Sequence, residues 1–134
     1  MDSTSIDLVG SRIASLSVEG DSVRVRFEPA YLIKTMTGSV EKTRWRQNGD
    51  LVFENARLLE EAPPLPAVCA GGDVGENIYT YRDMIPLPLE SRGHVHCRLK
   101  VEGSDKSIAI DGEVISLDMQ ETPRYIEHIR PEVD

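Results

Sequence analysis

The feature that most constrains this chain is a repeat of two. In DSVRVRFE, residues 21–28, Val23, Val25 and Phe27 alternate with Arg24, Arg26 and Glu28. In GHVHCRLKV, residues 93–101, Val95, Cys97, Leu99 and Val101 alternate with His94, His96, Arg98 and Lys100. Side chains on a strand point to opposite faces in turn, so such a segment buries one face and wets the other. A helix would need apolar residues every three or four positions. The same reading predicts strands at 12–18, 30–34, 41–47, 51–58, 77–82, 106–110 and 113–119. Turn residues fall between them at Glu19-Gly20-Asp21, Asn48-Gly49, Gly103-Ser104-Asp105 and Asp111-Gly112. Short strands with frequent turns predict an all-β domain, an antiparallel sandwich or open barrel of about seven to nine strands.

Two segments depart from the pattern. EEAPPLPAVCAGGDVGEN, residues 60–77, is rich in proline, glycine and acids and has no period, which predicts a long surface loop. TPRYIEHIR, residues 122–130, fits either a short C-terminal helix, capped by Thr122 with Pro123 in its first turn, or a final strand. The stretch TRWRQNGDLVFEN predicts a hairpin around a three-residue loop at 48–50. That register groups Trp45 with Leu51 and Phe53 and sets Arg44 opposite Glu54.

A chain of 134 residues fits one domain, 1–134, and can bury a core without disulfides or metal. Its net charge of −8 argues against a generic binder of nucleic acid or of an anionic membrane, since phosphates are repelled at long range. No stretch reaches the length of a membrane span, and the first residues lack a basic start followed by an apolar run. The two cysteines, Cys69 and Cys97, form no framework pattern and read as free thiols, which fits a cytoplasmic protein. Cys97 is expected in the core, and Cys69, beside the loop glycines, closer to the surface.

Catalytic signatures are thin. There is no nucleophile elbow and no metalloprotease helix motif, and a phosphate loop in CAGGDVGEN lacks the lysine it needs. No cofactor is expected on this reading. The alternative is a divalent-metal site, such as zinc, or a small-molecule site. If the strand at 93–101 pairs with 106–116 so that Val101 meets Ile108, His96 faces Glu113, and His94, His96 and Glu113 form a three-ligand cluster. The commoner reading of the same residues is a wet strand face with ordinary cross-strand charge pairs.

Charge segregation is the most informative functional feature. Residues 22–46 hold six basic and two acidic side chains, whereas residues 47–90 hold two basic and eight acidic. Arg24, Arg26, Lys42, Arg44 and Arg46 all fall on wet positions of their strands. If those strands are neighbours, they form a basic face on an acidic body, suited to a protein partner of complementary charge. The sequence thus predicts a non-enzymatic protein-interaction or adaptor module.

Overall fold

The computed structural model describes residues 2–38 and 40–129. Ten strands follow in chain order: β1 (Ser3–Asp7), β2 (Arg12–Glu19), β3 (Ser22–Thr35), β4 (Lys42–Glu54), β5 (Arg57–Leu58), β6 (Ala67–Glu76), β7 (Tyr79–Arg82), β8 (Met84–Leu87), β9 (Glu90–Val101) and β10 (Ser107–Ile129). All of them join one antiparallel sheet, and no helix occurs among the described residues. Pairing runs β2–β6–β9–β10–β4–β3 and returns from β3 to β2, so six strands close on themselves. The seam is narrow: β2 meets β6 only at Arg12↔Val68 and Ile13↔Ala67.

The core lies inside this ring. The alternating apolar residues supply it: Val23, Val25 and Phe27 from β3, Leu51 and Phe53 from β4, Val95, Cys97, Leu99 and Val101 from β9, and Ile108, Ile110 and Ile115 from β10. Each large side chain buried there contributes roughly 1.5–3 kcal/mol.

Three strands are too long for the ring. β3, β4 and β10 run on past it as a projecting sheet, where β1 pairs with the far half of β3 and β8 pairs with β1. The departure point is marked by two bulges. On β3 the register shifts between Phe27 and Ala30, at Pro29; on β10 it shifts between Gln120 and Arg124, at Glu121 and Pro123. Proline cannot donate to a ladder, so it is tolerated where a ladder is already broken. Pairing of β3 passes here from β2, ending at Ile13↔Phe27, to β1, starting at Asp7↔Tyr31.

Several expectations are corrected. Residues 42–54 are one continuous strand, with no hairpin at Asn48-Gly49. Gly49 serves the interior instead: a Cβ there would stand 2.5 Å from the Met119 sulfur. Trp45, Leu51 and Phe53 still share a face, because an unbroken strand keeps parity, but Arg44 lies opposite Ile33 and Glu127, not Glu54. Asp111-Gly112 is likewise extended, with Gly112 closing on Ala56. Residues 122–129 are strand, not helix, and Arg130 lies outside the described residues. Much of the expected loop at 60–77 is β6, a strand of the ring. Its glycines hide the periodicity: at Gly72, with φ of 147°, a Cβ would collide with the Arg98 carbonyl oxygen of β9. Cys69, on this strand, is buried like Cys97, and both are free thiols.

Candidate basic interface on the projecting sheet

β4 is the spine of the site. Its even-numbered residues, Lys42, Arg44, Arg46, Asn48, Asp50 and Val52, face outward, since its odd positions Leu51 and Phe53 fill the core. Arg26 lies opposite Asp50 and Arg24 opposite Val52. The five basic residues singled out from the sequence, Arg24, Arg26, Lys42, Arg44 and Arg46, therefore stand on one outer face of two neighbouring strands. They form two groups, since residues 44 and 50 are ~20 Å apart along an extended strand.

The group over the ring is internally balanced. Asp50 is only 5% exposed. It accepts hydrogen bonds from Arg24 Nη1 at 2.6 Å, Arg26 Nη1 at 3.4 Å and Gln120 Nε2 at 3.2 Å. Arg24 also reaches Asp118 at 3.5 Å, and Arg26 contacts Glu28 at 3.4 Å as well as Gln120. The hydrogen bond to Asp50 holds the Arg24 pKa above its ordinary value. A buried carboxylate needs such partners, and two guanidinium groups supply them.

The group on the projecting sheet is less balanced. Arg44 stacks over Tyr31, 4.7 Å from the ring centre, and contacts Asp7 at 3.4 Å. Arg46 lies directly opposite Arg124 of β10. Among the described residues neither side chain makes an ion pair or hydrogen bond, and that of Lys42, also exposed, makes none. Arg46 and Arg124 share a cleft of about 250 Å³ at the two bulges, lined also by Glu28, Gln47, Asn48 and Glu121. A shallower groove beside it is walled by Tyr31, Arg44, Arg46, Arg124, Tyr125 and Glu127. On the reverse face Trp45 is half-buried: Tyr125 meets it edge-on at 5.4 Å, Lys34 Nζ lies 4.1 Å from its ring centre, and its Nε1 donates to Thr43 Oγ1 at 2.8 Å.

Arg124 escaped the sequence reading because TPRYIEHIR carries no period of two. A bulge supplies the reason: Tyr125 pairs with Trp45 but Glu127 pairs with Arg44, so Ile126 is extra and parity slips.

The histidines are arranged differently from expectation. β9 pairs with β10 two residues out of the expected register, as Leu99↔Ile108, Cys97↔Ile110 and His96↔Asp111. The carboxylate beside them is Asp111, 2.8 Å from His94 Nε2. Glu113 sits past another bulge and accepts from Asn55 at 3.2 Å. The His94 and His96 rings are 5.6 Å apart, and His96 lies over Gly75, its buried Nδ1 without a hydrogen-bond partner. Among the described residues no three His, Cys, Asp or Glu side chains are grouped to hold a metal ion. Nor is any helix long and apolar enough to cross a membrane.

Comparison with protein-family models, curated proteins and solved structures returned no match for this chain.

Proposed function

We propose that this chain is a non-enzymatic interaction or adaptor module of the cytoplasm, which engages an acidic surface of a protein partner through the outer face of its projecting sheet. The observation that carries the reading is the row Lys42, Arg44, Arg46, with Arg124 beside it. The side chains of Lys42, Arg46 and Arg124 make no ion pair among the described residues, in a protein of net charge −8. Surface cations left unpaired on an acidic body are available to an incoming carboxylate, and such a field orients a partner as it approaches. Arg24 and Arg26, bonded to Asp50, extend the face over the ring, and Arg44 lies between Tyr31 and Asp7. The test is capture of partners from the native cell extract with wild type and with the Lys42→Glu/Arg46→Glu variant. Loss of a specific partner from the variant, with its circular dichroism unchanged, supports the reading; identical partner sets overturn it.

A second reading, a metal or small-molecule site at His94 and His96, is favoured by the unpartnered Nδ1 of His96 alone. Elemental analysis of the purified chain tests it.

A further inference from the structure

The projecting sheet has two outer edges. One is β8, MIPL, with Pro86 inside it and Pro88 just beyond. Proline at an edge withholds donors and discourages another strand from adding. The other edge is the end of β10. Pairing with β9 stops at Ser116, and no strand covers the far side of residues 118–129 among the described residues. The first half of that edge is interrupted by the bulge at Glu121 and Pro123. The second half, Arg124 to Ile129, is free of proline; it carries one bulge, at Ile126, and on either side of it N–H and C=O groups turn away from β4.

We infer that this edge is where two copies of the chain associate, β10 against β10, extending the sheet across a twofold axis. The side chains of the run are self-complementary. Arg124 lies opposite Arg46 and Glu127 opposite Arg44, so the bulge at Ile126 places Arg124 and Glu127 on the same outer face. In an antiparallel pair centred between Tyr125 and Ile126, Arg124 of each copy faces Glu127 of the other. The symmetry makes both ion pairs at once. The centre of the contact is Tyr125 and Ile126, 54% and 39% exposed, apolar surface beside an open edge. Neither the Arg124 nor the Glu127 side chain makes an ion pair or hydrogen bond among the described residues. The association leaves Lys42 and Arg46 free and places the basic rows of the two copies on one continuous face.

The contact is small, so the pair is a dissociable one. Sedimentation velocity of the wild type between about 5 µM and about 500 µM should show monomer passing to dimer, the range suited to small interfaces. Arg124→Glu alone, and Glu127→Arg alone, should hold the chain monomeric by facing like charges; the double variant Arg124→Glu/Glu127→Arg should restore the dimer. Hydrogen exchange should slow at residues 124–129 as wild-type concentration rises. A wild type that stays monomeric throughout overturns the inference, as does a dimer that the single reversals leave intact. Protection of 124–129 that appears only on adding cell extract also overturns it, assigning the edge to a foreign strand. Lys42→Glu/Arg46→Glu should dimerise normally, so loss of partner capture and loss of dimer are separable.

Discussion

Arg46 of β4 and Arg124 of β10 stand directly opposite each other across a ladder, two like charges where opposite charges would stabilise the pair. Like charges directly opposite on a ladder cost stability, so this pair contributes nothing favourable to the fold through its charges.

Replacing one of the two should therefore leave the fold no weaker. Arg46→Gln is expected to change unfolding free energy by between zero and about +1 kcal/mol in favour of the native state, with the gain largest at low salt. Urea titration at two ionic strengths measures it. A loss above about 1 kcal/mol would mean that Arg46 is a structural residue.

Asp50 should behave oppositely. Its carboxylate is buried and accepts from Arg24, Arg26 and Gln120. Asp50→Ala removes the acceptor for all three, and the guanidinium groups, being partly exposed, recover some solvation; the expected cost is about 1–3 kcal/mol. A double-mutant cycle with Arg24→Ala should show coupling, and additive losses would contradict the network.

The glycines of β6 differ in what they guard. A Cβ at Gly72 meets backbone, at a φ of 147° that side chains rarely adopt; a Cβ at Gly75 meets the His96 ring, which can turn aside. Gly72→Ala should cost about 3 kcal/mol or more, by strain in the ring. Gly75→Ala should cost less and be relieved by His96→Ala. Thermal unfolding of the three variants checks the order, and equal losses at the two glycines would contradict the packing described.

Burial pushes the Cys97 thiol up to about 12, from an ordinary value of 9.0. The thiolate is thus disfavoured in the native state more than in the unfolded chain. Stability from this group is complete below pH 9 and falls as pH rises toward 12. At pH 10.5 the loss attributable to Cys97 is about 2 kcal/mol, read as the difference between wild type and Cys97→Val in urea unfolding. A difference that does not change between pH 8 and pH 10.5 would place the thiol in contact with solvent.

The fold class was legible because Val23, Val25 and Phe27, like Val95, Cys97, Leu99 and Val101, each show an unbroken period of two. What failed to show in the sequence has a common physical cause. Glycine fills strand positions where backbones or rings crowd, as at Gly49, Gly72, Gly75 and Gly112, and there it imitates a turn or loop. Bulges at Pro29, Pro123 and Ile126 reset parity, so β3 was divided in two and the end of β10 looked like a possible helix. The outward positions of the five basic residues followed from alternation alone. That β3 and β4 are neighbours, that Asp50 occupies Arg24 and Arg26, and that Arg124 completes the open group depend on pairings between distant segments, which no local pattern encodes. The histidine register missed by two residues, a slip that preserves which face each side chain occupies and so leaves no trace in the alternation.

The most direct measurement of the proposed interface is amide chemical-shift mapping of the labelled chain with a decaglutamate peptide as the acidic probe. Shifts are expected to concentrate on residues 42–46, Tyr31 and Arg124, to weaken as salt rises and to be absent in Lys42→Glu/Arg46→Glu. Shifts centred on the other basic strand, around Arg92, Arg98 and Lys100, or no shifts at low salt, would contradict it.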